Sequence, residues 1–305
     1  MEKIIFVDRS SRKEEVEQVY GEKLIKLMYG SGVLSSLVSI LFKPLICTSP
    51  VFSHLYGLLQ KSGLSKKKVL PFIKYFNIDE KEFLDSADSY NSFNEFFTRK
   101  LNKSVRPIAG GNDIAILPAD ARYLFFPQIE QADGFLVKGK KFSLSSLLQD
   151  EALARSYEKG SMVIARLCPT DYHRFHFPVS CIAGHPKLIN GALFSVNPLA
   201  LKKNISIFTE NKRVLTKLTT RNFGTVLFIE VGATCVGDIQ QTFQMEEPQA
   251  KGDEKGYFSF GGSSLILLFE PGKIAFDQDL LEASNKKIEI KALMGQSMGR
   301  SLSLL

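Results

Sequence analysis

The chain has 305 residues, 44% of them hydrophobic and 23% charged, with 39 Lys+Arg against 32 Asp+Glu for a formal net charge of +7. That balance excludes a disordered chain, and the length allows one large core or a small domain beside a larger one. No stretch reaches the roughly 18 uninterrupted apolar residues of a spanning helix, and the N-terminus meets charge at Glu2 and Lys3, too early for a secretory leader. From the N-terminus, Val16, Val19, Tyr20, Leu24, Ile25 and Leu27 recur at helical spacing, so a helix is expected over Glu14–Leu27.

From Lys23 through Lys68 there is no acidic residue, while Lys23, Lys26, Lys43, Lys61, Lys66, Lys67 and Lys68 are interleaved with greasy runs at 34–42 and 51–59. Pro44 and Pro50 break these runs into short pieces. Short apolar helices flanked only by lysine suit the headgroup boundary of an acidic bilayer, and a buried helical hairpin with exposed lysines is the alternative. Nucleic acid is not expected as a partner, because the basic residues alternate with aliphatic and not with stacking aromatic side chains.

After about Asp85 the texture changes to short β-prone runs bounded by turn residues: Ile114–Leu117, Ser161–Ala165, Val226–Val231 and Ser264–Phe269. Only Leu144–Tyr157 and Gln278–Ala283 suggest further helices. The expected class is therefore α+β: a helical N-terminal membrane-docking region over 1–85, then a β-rich catalytic body over 86–305.

Candidate chemistry lies in two places. Of the four histidines, His173, His176 and His185 fall in one stretch with Cys168 and Cys181. The spacing lacks the paired ligands on tight knuckles that structural zinc prefers, so no metal is expected. Cys47, Cys168, Cys181 and Cys235 form no CxxC pair and read as reduced thiols in a cytosolic setting. His173 and His176, beside Asp171 and Arg174, suit proton transfer near neutrality equally as well as they suit a structural role. The second place is Phe260-Gly-Gly-Ser-Ser264 ahead of an apolar run. Alone it reads as a tight turn before a strand, since neither a phosphate cradle nor a hydrolase elbow has its sequel here.

Together the two places resemble the phosphatidylserine decarboxylases. Phe260-Gly-Gly-Ser-Ser264 is similar to that family's self-cleavage motif, and Asp171-Tyr-His-Arg-Phe-His-Phe-Pro178 to its histidine motif. Asn91-Ser-Phe-Asn-Glu-Phe-Phe-Thr-Arg-Lys-Leu101 with Arg106-Pro-Ile108, and Leu117-Pro-Ala-Asp-Ala121, resemble two earlier blocks. Val137–Leu144, Ser195–Pro198, Glu210–Arg213 and Glu230–Ile239 match others in the same order. Three positions depart from the pattern: Gly261 stands for the commoner Leu, Ser264 for Thr, and Ala121 for Gly. Ala121 narrows the backbone conformations beside Asp120, which bears on processing speed.

The resemblance implies a self-processing proenzyme that converts phosphatidylserine to phosphatidylethanolamine and carbon dioxide. Asp120 would orient His176, His176 would take the proton of Ser263, and Ser263 would attack the carbonyl of Gly262. Cleavage between 262 and 263 would leave a large β chain, a small α chain and a pyruvoyl group made from Ser263, with no external cofactor. His173 would protonate the decarboxylated product. The implied partners are an anionic phospholipid membrane and the lipid substrate, a homodimer is allowed, and the implied location is peripheral, on the cytoplasmic face of the cell membrane. A pyruvoyl enzyme for a soluble amino acid, or a non-catalytic membrane protein on the same fold, are the rival readings. The greasy front opposes the first, and Asp120, His176, Gly262 and Ser263 together oppose the second.

Overall fold

The computed structural model describes residues 3–20, 50–132, 142–201, 206–233, 238–260 and 263–302. Several expectations lie outside these residues: the greasy run at 34–42 with Cys47, the block at 137–141, Cys235, and the glycines Gly261 and Gly262. The described strands are β1 (Ile5–Asp8), β2 (Glu14–Val16), β3 (Ile114–Ile116), β4 (Ala121–Phe126), β5 (Ser161–Leu167), β6 (Arg174–His176), β7 (Cys181–Ala183), β8 (Lys187–Ile189) and β9 (Arg213–Thr220). They continue with β10 (Thr225–Val231), β11 (Ile239–Gln241), β12 (Pro248–Gln249), β13 (Glu254–Phe258), β14 (Ser263–Phe269), β15 (Ile274–Phe276), β16 (Glu289–Ala292) and β17 (Ser297–Ser301). The described helices are α1 (Pro50–Lys61), α2 (Val69–Phe76), α3 (Phe93–Phe97), α4 (Leu144–Leu148), α5 (Glu151–Tyr157), α6 (Pro198–Leu201), α7 (Ile207–Glu210) and α8 (Gln278–Asn285). The α+β class, the four β-prone runs and the helices in the two later segments are as the sequence suggests.

One mostly antiparallel sheet organises the body, in the order β12-β7-β9-β10-β14-β5-β4-β16-β1-β2, with β8 added on β9. Strand β14 is buried at all seven positions, as an apolar run covered on both faces must be. Leu265, Leu267 and Phe269 join one core with Phe125, Val163, Phe175, Phe228 and Phe258. Ile266 and Leu268 join a second core with Ile164, Leu227, Leu147 and Phe208. The first core is roofed by two three-stranded sheets, β11-β13-β6 and β15-β17-β3, and the second by α4 to α7. Each leucine or isoleucine fully buried this way contributes about 1.5–3 kcal/mol.

A buried ion pair ties the β6-bearing sheet to the central one. Lys255 of β13 donates from Nζ to Glu230 Oε1 of β10 at 2.5 Å, to Thr216 Oγ1 at 3.0 Å and to Gln241 Oε1 at 2.7 Å. Its ammonium also lies near the rings of Phe228 and Phe243. The clamp thereby links the strand beside His176 to the strand beside Ser263.

The front differs from expectation at its start. Glu14–Val16 is a strand and not the opening of a helix; it pairs with β1, which runs parallel to β16 in the main sheet. Tertiary partners outweigh the helical spacing here, because the edge of β1 offers backbone partners and Glu17 is drawn to Arg166 and Arg122 at 2.7 and 3.2 Å. Further on, α2 buries Val69, Phe72 and Ile73 at helical spacing and ends on Asn77, whose left-handed conformation (φ 51°) closes the last turn. Ser92 caps α3 through the backbone N–H of Glu95, and α3 buries Phe93, Phe96 and Phe97. These rings form a third core with Phe83, Tyr90 and Phe260. The helical front is therefore seated on Phe260, three residues ahead of Ser263.

Candidate active site

Ser263 opens β14, opposite Leu167 of β5, and shares a face with Leu265 and the first core. It is fully buried, and its Oγ has no hydrogen-bond partner; the same holds for Ser264, which faces the other side of the sheet beside Arg166. A buried hydroxyl without a partner is costly, and two in succession at a strand's start require an explanation beyond packing. Ser259 and Phe260, upstream of them, are tightly held. The Phe260 backbone N–H donates to Asn94 Oδ1 of α3 at 2.9 Å, and the Phe260 ring lies 4.9 Å from that of Phe97 and 5.1 Å from that of Phe93. Ser259 donates to Asp238, which also holds Lys61 of α1 at 3.0 Å.

His173 is fully buried with its ring centroid 3.9 Å from that of Phe97. Its Nδ1 donates to the carbonyl of Asp171 at 3.0 Å, since a carbonyl only accepts. The basic nitrogen is then Nε2, which is buried without a partner. Burial pushes the imidazole down to about 3, against weaker support from the Asp171 carbonyl, so the ring is neutral. His176 ends β6. Its Nδ1 donates to the carbonyl of Gly252 at 2.9 Å, and Nε2 accepts from the Tyr172 hydroxyl at 3.2 Å. Gly252 holds that carbonyl in place with φ near +90°, a conformation that favours glycine. Burial lowers the His176 imidazole as well.

Asp120 is not joined to His176 by a hydrogen bond in the uncut chain. Arg106 donates to both its oxygens, from Nε at 3.0 and 3.1 Å and from Nη2 at 2.6 Å, and the Met294 N–H donates to Oδ1 at 2.9 Å. Arg106 is shared with Glu82 at 2.8 Å. Asp120 and Tyr172 nevertheless line one cavity of about 350 Å³, and Tyr172 contacts His176. The structure thus gathers His173, Phe260 and α3 around shared aromatic rings, and brings Asp120 into the cavity lined by Tyr172, whose hydroxyl holds His176. Four participants were not singled out from the sequence: Asn94, Phe97, Arg106 and Tyr172. All lie inside the quoted blocks, so position in a motif was the available signal.

A charge network underlies the site. Arg166 bridges Glu17 and Glu289 at 2.7 and 2.5 Å and donates to Cys168 Sγ, while Arg122 holds Asp171. Burial would raise the Glu17 carboxyl, but Arg166 and Arg122 hold it at about 2.

The two neutral imidazoles give a pH prediction. Both titrate lower in the folded chain than the ordinary 6.5, and His173 only near 3, so below 6.5 the unfolded chain binds protons that the folded chain refuses. Stability is therefore present above that value and is lost as pH falls. The unfolding free energy of the uncut Ser263→Ala chain should fall by up to about 1.4 kcal/mol per pH unit for each ring. Urea titrations from about pH 7 to about pH 5 measure this, and His173→Gln should remove one ring's share of the slope. An unchanged slope in that variant would mean that His173 is not a buried neutral base.

Among known proteins, the family model for phosphatidylserine decarboxylase matches residues 93–300. A phosphatidylserine decarboxylase proenzyme of Chlamydia pneumoniae is 48% identical over 301 residues, which cover 99% of this chain and 98% of that protein. One of Chlamydia caviae is 49% identical over 302 residues, covering 99% of each. One of Chlamydia trachomatis serovar L2 is 44% identical over 300 residues, covering 98% of each.

Proposed function

The chain belongs to the phosphatidylserine decarboxylase family, and from that premise we propose which of its residues cut the chain, where the pyruvoyl group arises and how the lipid is met. It is a self-processing proenzyme that decarboxylates phosphatidylserine in phospholipid biosynthesis. The proposed cut lies between Gly262 and Ser263 and leaves a large β chain and a small α chain. The observation that carries this is the fully buried, unpartnered Ser263 hydroxyl at the head of the central strand, with the preceding Phe260 anchored on α3.

In the proposed reaction Ser263 Oγ attacks the Gly262 carbonyl carbon and the peptide nitrogen is freed, giving an ester. Loss of the α-proton of residue 263 expels the chain ending at Gly262 as a carboxylate. Water then replaces nitrogen at the new end, ammonia leaves, and a pyruvoyl group remains. His176 takes the Ser263 proton, with Asp120 orienting it; for this Tyr172 must give up its hold on Nε2. The pyruvoyl group supplies an electron sink for the pair released with carbon dioxide. His173 returns a proton to the substrate α-carbon, and an anionic head group beside its ring would favour the protonated form. A second reading exchanges the two histidines. It is favoured by one observation: Nε2 of His173 and Oγ of Ser263 both lack partners, whereas Nε2 of His176 is occupied. Mass spectrometry of the purified protein tests the cut. Chains of residues 1–262 and 263–305, the latter starting in a ketone, are expected; an intact folded chain would refute it.

We also propose that the front is the membrane-docking surface. Helix α1 turns Leu55, Leu58 and Leu59 outward, Leu64 follows in the turn, and α2 exposes Leu70 and Tyr75. Lys66, Lys67, Lys68 and Lys74 of the same stretch of chain are also exposed. Outward apolar side chains with exposed lysines in the same segment fit the headgroup region of an anionic bilayer, each lysine adding about 1 kcal/mol. No helix among the described residues is long and apolar enough to cross a membrane. A peripheral position on the cytoplasmic face of the cell membrane and a homodimer complete the proposal. Anionic vesicles should bind the protein more strongly than neutral ones, and salt should weaken the binding. Leu59→Glu with Leu64→Glu should abolish it in flotation assays while self-cutting proceeds. Equal binding to both vesicle types without a salt effect would count against the surface.

A further inference from the structure

Arg99 lies two residues past α3 and is 4% exposed. Its guanidinium sits 5.0 Å from the Phe83 ring centroid and 4.7 Å from that of Phe96. It donates only to main-chain carbonyls, those of Phe96, Thr170 and Asp171, at 3.4, 3.3 and 3.5 Å, and its Nε has no partner. No carboxylate among the described residues lies within ion-pair distance of it. Its neighbours are different: Arg106 is matched by Glu82 and Asp120, and Arg122 by Glu17 and Asp171. A buried cation without a counter-ion is costly, and burial draws the Arg99 guanidinium down to about 10. It also lines the cavity of about 350 Å³ that holds Asp120 and Tyr172.

We propose that Arg99 is the counter-cation for the phosphodiester of the lipid head group, and that this cavity is the head-group subsite. The proposal rests on the reading of the site given above. The cavity's own carboxylates do not compete strongly for the ligand's place, because Glu82, Asp120 and Asp171 are held by Arg106 and Arg122, and Asp8 by Lys291 at 3.6 Å; Asp79 is exposed. Proximity to the chemistry is direct. The Asp171 carbonyl accepts both from Arg99 Nη2 and from His173 Nδ1, so the cation and the proton-transfer ring stand one oxygen apart. In the head group the phosphorus is separated from the α-carbon by one methylene and one oxygen, a matching short span. Access is also consistent: Phe76, Asn77 and Ile78 at the end of α2 line the cavity, while Leu70 and Tyr75 of the same helix face outward.

The substrate has a second anion, its carboxylate, but the phosphodiester is the better match. Decarboxylation disperses the carboxylate charge, so a cation fixed on it would hold the ground state more tightly than the transition state and slow the reaction. A cation on the phosphodiester binds both states alike and acts on KM.

The test uses the uncut full chain, Ser263→Ala, so that binding is read whether or not the cutting reading holds. Calorimetry with sn-glycero-3-phosphoethanolamine, which has the diester and no carboxylate, should give saturable binding. Arg99→Gln should weaken it by about 10–100-fold, the range for charge-assisted hydrogen bonds, and Arg99→Lys should weaken it less. L-serine, with a carboxylate and no phosphate, should bind equally to all three. In the processed enzyme Arg99→Gln should still show two fragments and raise KM for the lipid far more than it lowers kcat. Should Arg99→Gln fail to fold, Arg99→Lys, which keeps a cation beside the Phe83 and Phe96 rings, decides by the same diester measurement. Diester binding unchanged on substitution, a loss confined to L-serine, or inorganic phosphate binding as tightly as the diester would each overturn the assignment.

Discussion

Ser263→Ala should purify as a single chain of 305 residues with no measurable decarboxylation, where the native protein should give residues 1–262 and 263–305. A methyl group cannot attack the Gly262 carbonyl, so both processing and the prosthetic group are lost in one step. The same substitution should leave the fold at least as stable. The Ser263 hydroxyl is fully buried and bonds to nothing, so its removal sacrifices no hydrogen bond and relieves a desolvated polar group worth about 1–3 kcal/mol. Complete loss of activity with an equal or higher melting temperature separates a reactive serine from a structural one. Ser264→Ala should cut normally, since Ser264 faces the opposite side of the sheet beside Arg166. A first residue of 264 in the small fragment would move the assignment by one position. The native fragments should separate only in denaturant. β14 lies between β10 and β5, and β16 between β4 and β1, so a small chain beginning at Ser263 would fill two places inside the main sheet.

His176→Ala is expected to stay uncut and inactive, while His173→Gln cuts itself and turns over lipid about 10²–10⁴-fold more slowly, the usual contribution of general acid catalysis. Asp120→Asn should resemble His176→Ala in cutting if Asp120 turns to orient the imidazole during self-cleavage, as proposed, because an unoriented imidazole is a poorer base. Asn is the better probe than Ala at this position, since it keeps an acceptor for the Met294 N–H and for Arg106. Its stability should nonetheless fall, because Arg106 loses one of its two carboxylates. Tyr172→Phe releases Nε2 of His176 and should leave cutting intact or faster. The opposite pattern, an uncut His173→Gln with a normally cut His176→Ala, would establish the exchanged roles that the free Nε2 of His173 favours. Normal cutting in both would remove the histidines from self-cleavage altogether.

Much of this protein was readable in the sequence because the signals are local. Apolar runs bounded by turn residues announced β5, β10 and β14, and helical spacing announced α4, α5 and α8, since side-chain periodicity is set within about ten residues. The ordered blocks around Asp120, His173, His176 and Ser263 were equally legible, and they carried the family. What the tertiary structure alone decided is which charges and rings meet. Glu14–Val16 reads as the start of a helix and becomes a strand because β1 needs a partner and two arginines distant in sequence need Glu17. Arg106 engages Asp120, Tyr172 occupies His176, and Phe97 connects His173 to Phe260; these contacts depend on how α3 and the small sheets fold over β14. Arg99 is the clearest case. Nothing in its sequence neighbourhood marks it as lacking a counter-ion, because that depends on carboxylates from distant segments having been claimed by Arg106 and Arg122.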